Sequence, residues 1–102
     1  MADIAVVTGA SGGIGKAVAK AIHEKSEGGL RLCLHYNGNQ KAAEALRAEL
    51  PGSFTVKADL STAAGRKALL DAVLKEGNPY VLVNNAGVDK PHEPAQIGRA
   101  HV

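Results

Sequence analysis

The chain has 102 residues, of which 45% are hydrophobic, 22% charged and 3% aromatic, and its formal net charge is +2. The near balance of 12 basic against 10 acidic residues excludes both a disordered acidic tail and a strongly basic nucleic-acid binder. The length fits one domain of ordinary size and leaves no room for a second.

The chain opens with a predicted strand and a predicted helix. Residues 4–8 are apolar and β-branched, which is typical of a buried strand, and Gly9 ends them. Ile14, Val18 and Ile22 then recur at regular spacing and predict the apolar face of a helix that runs to about residue 27. The pair of glycines that follows is typical of a helix end.

A second strand and helix follow directly. Residues 30–35 alternate leucine with other residue types, which predicts a strand in which Cys33 is a core or half-buried thiol and His35 is half-exposed. Asn39 is a candidate N-cap, and residues 42–50 carry apolar side chains at helical spacing.

The remaining pattern predicts one more helix between two strands. Residues 54–56 predict a short third strand and residues 80–83 a fourth, with Ser61 as the candidate cap of the helix between them. The side chains of this helix predicted to face inward are Leu69, Leu70, Val73 and Leu74. The resulting order, β-α-β-α-β-α-β, predicts an α/β fold with parallel strands joined by right-handed crossovers.

The turn after the first strand is rich in glycine: Gly9, Gly12, Gly13 and Gly15. Glycines allow a sharp exit from a strand, a close approach of backbone N–H groups to a pyrophosphate and tight helix packing. The helix N-terminus adds partial positive charge and Ser11 adds a hydroxyl. The alternative is a tight turn without a ligand. A phosphate-transferring P-loop is excluded because Ala17, not Ser or Thr, follows Lys16.

Two motifs resemble those of the short-chain dehydrogenase/reductase family. The run Thr8-Gly-x-x-x-Gly13-x-Gly15 resembles that family's cofactor loop, and Asn84-Asn85-Ala86-Gly87 resembles its second motif. The loop spacing also fits the extended subgroup, whereas the second motif favours the single-domain subgroup, in which the chain is most similar to beta-ketoacyl acyl-carrier-protein reductases. The resemblance implies an NAD(P)-dependent oxidoreductase with a Rossmann-type doubly wound parallel sheet, of which this chain is the N-terminal half.

The resemblance also implies which residues hold the cofactor. Asp59 matches the position at which the family contacts the adenine, and Asn85 and Gly87 border the ribose on the adenosine side. Independently, two buried Asn side chains at positions 84 and 85 would bond the backbone of both flanking strands; the alternative is a polar strand end with a turn glycine. The candidate cofactor-binding residues are Gly9, Ser11, Gly12, Gly13, Ile14, Gly15, Tyr36, Asn37, Asp59, Leu60, Asn85, Ala86 and Gly87.

The end of the second strand selects between the two nicotinamide dinucleotides. Residues 35–39 read His-Tyr-Asn-Gly-Asn, and the next acidic residue is Glu44. A carboxylate at this point would accept from a ribose 2′-hydroxyl and repel a 2′-phosphate, whereas Lys16, His35 and Lys41 offer donors or positive charge. We therefore predict NADP(H) as the cofactor in preference to NAD(H).

No catalytic residue is assigned in this sequence. The resemblance implies hydride transfer between nicotinamide and a carbonyl or alcohol, with a tyrosine as acid or base and a lysine four residues later. The residues four positions after Tyr36 and Tyr80 are Gln40 and Asn84, so the pair does not occur. We expect the catalytic half to lie outside this chain and the fragment to be inactive.

The apolar periodicity stops after Val83. Residues 96–102 can be encoded by a DNA string that resembles a sequencing-library adapter, the alternative being an ordinary short tail. We interpret residues 1–95 as a truncated NAD(P)-binding Rossmann domain and residues 96–102 as a non-native tail. The competing hypothesis is a complete, small nucleotide-binding or interaction module without catalysis, which a sharp cooperative melt of a soluble monomer would favour.

The sequence also predicts the environment of the protein. No apolar run approaches the roughly 20 residues that span a bilayer, and no signal-peptide pattern opens the chain. The single cysteine excludes a disulfide framework and a multi-cysteine metal site and indicates the reducing cytoplasm. We expect a nicotinamide dinucleotide as ligand, no metal, no nucleic acid and no membrane, and the resemblance implies a homo-oligomeric full-length parent.

Overall fold

Strands and helices alternate along the chain, as the spacing of its apolar residues predicted. The computed structural model describes residues 2–85 and 96–97. In chain order the elements are β1 (Asp3–Val7), α1 (Gly13–Lys25), β2 (Arg31–Tyr36), α2 (Gln40–Glu49), β3 (Phe54–Lys57), α3 (Ala63–Glu76), β4 (Asn78–Asn84) and β5 (Gln96–Ile97). This order confirms the predicted β-α-β-α-β-α-β alternation and adds a two-residue strand.

The order in which the strands are added to the sheet reverses at β1. The strand order is β3-β2-β1-β4-β5, in which β1, β2, β3 and β4 pair in parallel and β5 pairs antiparallel with β4. The chain thus builds outward from β1 to β3 and then crosses to β4 on the other side of β1. In such sheets ligands bind beyond the carboxyl ends of the strands at the point of reversal, which here lies between β1 and β4.

Helices cover both faces of the sheet, which confirms the doubly wound arrangement. The core beneath α1 and α2 contains Ala5, Val7, Ala19, Leu32, Leu34 and Leu46. The core beneath α3 contains Ile4, Val6, Cys33, Leu69 and Val73. Successive residues of β1 and β2 alternate between these cores because side chains of a strand point to opposite faces. Residues 4–7 of β1 and 32–34 of β2 are therefore all apolar, as expected of parallel strands that are covered on both sides.

Cys33 is a core residue, as predicted. Its side chain is fully buried beneath α3, and this burial raises the pKa of the thiol to about 12. A thiol with such a pKa stays protonated at neutral pH and is not a nucleophile.

Two predicted helix boundaries are wrong by one or two residues. α1 ends at Lys25, because Glu27 has a φ of 54° in the left-handed region and the helix cannot continue through it. The cap of α3 is Thr62, whose Oγ1 accepts the Gly65 N–H at 2.9 Å. The Ser61 hydroxyl instead donates to Oδ1 of Asp59 at 2.6 Å.

Two leucines of α3 that were predicted to face inward are exposed, as is Ile14, which was predicted to lie on the apolar face of α1. The exposed fractions of Ile14, Leu70 and Leu74 are 60%, 51% and 48%. Leu70 lines a groove of about 810 Å³ between α3 and β4, where Tyr80 and Leu82 are also exposed. The prediction failed because helical spacing identifies an apolar face of α3 but not which part of the sheet lies under it.

Candidate functional site

The glycine-rich turn folds back on the end of β2. Gly9 has a φ of 65°, in the left-handed region that favours glycine. Its N–H donates to Nδ1 of His35 at 3.0 Å, and the Ala10 N–H donates to the His35 carbonyl at 2.8 Å. The Gly12 N–H then donates to the Gly9 carbonyl at 3.2 Å. The turn is therefore fixed by hydrogen bonds both within itself and to the neighbouring strand.

The turn leads into a helix N-terminus that has no side-chain cap. The residue at the cap position is Gly12, and the Lys16 N–H donates to its carbonyl at 2.9 Å to form the first hydrogen bond of the helix. The N–H groups that precede Lys16 in α1 belong to Gly13, Ile14 and Gly15 and have no acceptor within the helix. Gly13 and Ile14 are exposed, so their N–H groups and the positive end of the helix dipole favour an anion at this point.

The glycines of the turn are required for different reasons. A Cβ on Gly15 would lie 2.2 Å from the Gly9 carbonyl oxygen and 2.9 Å from both the Ala10 Cα and the Asn85 Nδ2, so no side chain fits there. A Cβ on Gly12 would make an ordinary contact at 3.6 Å, and one on Gly13 would meet nothing within 4 Å. Packing of the described residues thus requires glycine at position 15 and leaves open space at position 13.

The ends of β1 and β4 are joined by a hydroxyl and an amide. Oγ1 of Thr8 accepts the Asn85 N–H at 2.7 Å and lies 3.3 Å from both the Val83 carbonyl oxygen and Oδ1 of Asn84. Nδ2 of Asn85 donates to the Gly9 carbonyl at 3.3 Å. The second motif therefore holds the glycine-rich turn from the β4 side.

The prediction that both Asn side chains of this motif are buried is wrong. Asn84 is exposed and Asn85 is half-buried, because β4 lies next to the edge of the sheet and α3 does not cover its end. Asn85 still bonds the backbone of the neighbouring β1 turn, as the motif predicted. Ala86 and Gly87 lie outside the described residues.

Replacing Thr8 by valine should lower the free energy of unfolding by about 1 kcal/mol, the net value of a typical intramolecular hydrogen bond. Valine keeps the shape of the side chain but removes the acceptor of the Asn85 N–H. Urea unfolding of both chains measures the difference. Thr55→Val is the control, because the Thr55 hydroxyl donates to Glu44, whose carboxylate also accepts from Arg47. Equal losses in the two variants would contradict the prediction.

His35 is buried, with only 2% of its surface exposed, so its predicted half-exposure is wrong. The prediction assumed that alternate residues of β2 face solvent, whereas β2 is an inner strand that is covered on both faces. One ring nitrogen bonds the Gly9 N–H and the other lies 2.8 Å from the Ala58 carbonyl oxygen. With both nitrogens occupied, His35 is not a donor for a cofactor phosphate, contrary to the prediction.

The residues at and after the end of β2, 36–43, include no carboxylate, and the next acidic residue is Glu44. Tyr36 is buried and Asn37 is exposed. The Glu44 carboxylate accepts from Arg47 Nε at 2.7 Å and from Thr55 Oγ1 at 3.0 Å, and these bonds, that of Arg47 first, lower its pKa. Glu44 is thereby engaged with α2 and β3. Lys41, in the first turn of α2, is exposed.

The loop between β3 and α3 holds Asp59 and Leu60. Asp59 is exposed, and the hydroxyl and then the backbone N–H of Ser61 lower its pKa by donating to Oδ1. Leu60 is half-buried against the core beneath α3. Sequence reasoning missed Gly65: a Cβ there would overlap the Asp59 carbonyl oxygen, so this glycine lets α3 begin tightly against the loop. A glycine inside the first turn of a predicted helix was the available signal.

Most predicted site residues lie on the turn after β1 and on the loop after β3, at one end of the sheet. The turn after β1 carries Gly9 through Gly15, and Asn85 at the end of β4 contacts it. Ala58, next to Asp59 and Leu60, is joined to the turn through His35. Within the described residues no helix is long and apolar enough to cross a membrane, and no three His, Cys, Asp or Glu side chains are grouped to hold a metal ion.

Comparison with known proteins relates this arrangement to a family of oxidoreductases. The family model described as short chain dehydrogenase matches residues 3–101. The 3-oxoacyl-[acyl-carrier-protein] reductase FabG of Staphylococcus aureus is 36% identical over 95 residues, covering 88% of this chain and 37% of the reductase. The uncharacterized oxidoreductase YmfI of Bacillus subtilis is 38% identical over 87 residues, covering 80% of this chain and 35% of that protein. The chain spans little more than a third of these relatives.

Solved structures with the same arrangement are also found. Acetoin dehydrogenase from Enterobacter cloacae matches with a TM-score of 0.73 and 28% identity, covering 83% of this chain and 34% of that one. BdcA from E. coli matches with a TM-score of 0.60 and 29% identity, covering 80% of this chain and 40% of that one. These similarities confirm the Rossmann-type doubly wound fold that the motifs implied.

Proposed function

The chain belongs to the short chain dehydrogenase family, and from this premise we propose that it forms the NADP(H)-binding part of an oxidoreductase. The proposed reaction is hydride transfer between the nicotinamide, which supplies or accepts the hydride, and a carbonyl or alcohol group. Membership confirms the resemblance that the two motifs indicated. The cofactor, the residues that bind it and the substrate class are part of the proposal.

The observation that carries the proposal is the open space above Gly13. A Cβ at this position would meet nothing within 4 Å, so the fold itself does not require a glycine there. A pyrophosphate that approaches the exposed N–H groups of Gly13 and Ile14 does require one, because a side chain would hold it away. The described residues therefore fit the diphosphate of a dinucleotide at the uncapped start of α1.

The charges beyond β2 favour the phosphorylated dinucleotide. The exposed residue at this point is the uncharged Asn37, and Glu44 is bound by Arg47 and Thr55. The first turn of α2 contains Lys41 and no acidic residue. A 2′-phosphate near this turn gains from the helix dipole and the lysine, whereas a free 2′-hydroxyl finds no carboxylate among residues 36–43.

We expect NADPH to bind at least about tenfold more tightly than NADH, a difference of about 1.4 kcal/mol. Titration of the chain with each nucleotide, followed by the fluorescence of the reduced nicotinamide, measures both dissociation constants. Equal or tighter binding of NADH would refute the preference, and failure of both nucleotides to bind would refute the proposed function.

Asn37→Asp tests the origin of the preference. A carboxylate at this exposed position would repel the 2′-phosphate and accept from the 2′-hydroxyl, so NADPH should lose about tenfold in affinity while NADH should not. Ala21→Asp is the control, since it makes the same change in net charge at an exposed position of α1. An equal effect of the two substitutions would show that only net charge matters.

The residues that protonate the substrate are proposed to lie outside this sequence. The 102 residues contain no Tyr-x-x-x-Lys pair. The turn, Asn85 and the β3–α3 loop are proposed to bind and orient the nucleotide only. Residues beyond this sequence would then provide the acid and the substrate pocket.

A further inference from the structure

His35 makes two directional hydrogen bonds that connect three strands. Its Nδ1 lies 3.0 Å from the Gly9 nitrogen at the end of β1, and its Nε2 lies 2.8 Å from the Ala58 carbonyl oxygen just after β3. His35 itself belongs to β2, where it is opposite Val56. The ring thus joins the glycine-rich turn to the loop that begins at Ala58.

The partners fix the protonation state of the ring. A backbone N–H is only a donor, so Nδ1 must be the acceptor and carries no proton. A carbonyl oxygen is only an acceptor, so Nε2 carries the proton and donates to Ala58. The neutral imidazole satisfies both partners. A protonated imidazole would place an N–H at Nδ1 against the N–H of Gly9, and that bond would be lost.

We propose that His35 is a positioning residue for the nucleotide, whose neutral ring holds the Gly9 turn in its binding conformation and releases the turn when Nδ1 is protonated. The consequence for nucleotide affinity rests on the proposed function. Gly9 begins the turn that places the free N–H groups of α1, and its N–H is bonded by the ring rather than by backbone. Loss of this bond leaves the position of the turn to Asn85 and the contacts of Ala10 and Gly12.

The surroundings of the ring favour the neutral form at pH 7. Burial lowers the pKa of His35 below its usual 6.5, and the bond to the Ala58 carbonyl opposes this only in part. The turn after β1 brings the uncharged Thr8 to this region, and the charged residues of β3, the loop after it and the first turn of α3 are Lys57, Asp59 and Arg66. The rest of α3 carries Lys67 and Asp71, which pair with each other, Glu76, which pairs with Arg31, and the exposed Lys75. Lys57 and Asp59 are exposed, Asp59 bonds Ser61, and Arg66 donates to the Leu60 carbonyl.

The sign of the pH dependence follows from this lowered pKa. The unfolded chain takes up the proton near the usual pKa, whereas the folded chain takes it up only at lower pH. The contribution of the neutral ring is therefore complete above about pH 6.5 and is lost as the pH falls through the pKa of the folded state. Nucleotide affinity depends on the folded chain alone, so it should fall only as the pH passes through the pKa of His35 in the folded state.

The test combines NMR with nucleotide binding on the 102-residue chain. The ring nitrogens of His35 and the amide of Gly9 are followed in ¹⁵N-labelled protein from about pH 8 to about pH 5. The dissociation constant for NADPH is measured over the same range for the wild type and for His35→Asn. Asn presents an oxygen near the place of Nδ1 and does not titrate. His23→Asn, on α1, is the matched control.

We expect the proton on Nε2 at neutral pH and a Gly9 amide shift that changes with the same midpoint as the ring. At acid pH, wild type and His23→Asn should each lose NADPH affinity, and this loss should be roughly tenfold larger than any loss in His35→Asn. A tenfold change corresponds to the free energy of one hydrogen bond. Protonation of the nucleotide phosphate affects all three proteins alike, so it cancels.

Three results would overturn the inference. The first is a proton on Nδ1 at neutral pH, and the second is a Gly9 amide that does not respond when His35 titrates. The third is a loss of NADPH affinity at acid pH that is as large in His35→Asn as in the wild type. If His35→Asn does not fold, the NMR titration of the wild type decides. If the wild type binds no nucleotide at any pH, the proposed function fails. The NMR titration still tests whether His35 holds the turn: a common midpoint for the His35 ring and the Gly9 amide supports it, and different midpoints overturn it.

Discussion

Valine in place of Gly13 should weaken nucleotide binding by at least roughly a hundredfold, or about 2.7 kcal/mol, and leave the chain as stable as before. A Cβ at Gly13 meets nothing within 4 Å, so the folded chain accommodates the side chain. Gly13 is the first residue of α1, where valine has a slightly better helix propensity than glycine. The substitution should therefore lower nucleotide affinity and not stability, because the phosphates can no longer reach the backbone N–H groups.

Nucleotide titration of Gly13→Val measures the change in affinity, and urea unfolding measures the change in stability. Ala63→Val is the matched control, because Ala63 is the exposed first residue of α3. It should change neither quantity by more than about 0.5 kcal/mol. Undiminished binding by Gly13→Val would remove the main support for a diphosphate at this turn. A large loss of stability would show that the glycine is instead required by the fold.

The elements of the fold were predictable because each has a local signal. The apolar run of β1, the helical spacing that follows it and the Asn39 cap of α2 all lie within a few residues of the structure they specify. The exposure of individual side chains was less predictable. His35 is buried and Leu70 is exposed because β2 lies inside the sheet and α3 covers only part of β4, and strand order is a long-range property.

The candidate site divides in the same way. The glycine run after β1 is visible in the sequence, as is the Asn pair after β4, because both motifs have a fixed spacing. The sequence does not distinguish the role of Gly13 from that of Gly15, since this depends on where the chain passes after it turns. The bond from His35 to Gly9 was also hidden, because it joins residues 26 positions apart on neighbouring strands.

Alanine in place of Gly15 should destabilise the chain by about 3 kcal/mol, the upper part of the range for overpacking. The added Cβ would lie 2.2 Å from the Gly9 carbonyl oxygen and 2.9 Å from the Ala10 Cα. Both are backbone atoms, so relief requires that the turn and α1 move apart. Such a movement would also weaken the bond from Asn85 to the Gly9 carbonyl and thus the contact between the β1 turn and β4.

Gly12→Ala provides the comparison for Gly15→Ala within the same turn. Its Cβ would lie 3.6 Å from the same Gly9 oxygen, an ordinary contact, so the loss of stability should stay within about 1 kcal/mol. Urea unfolding of both variants measures the difference, which should be about 2 kcal/mol or more. Equal stabilities would mean that α1 is free to shift along the sheet. The rigid start of α1 would then no longer explain how its N–H groups are held in place for an anion.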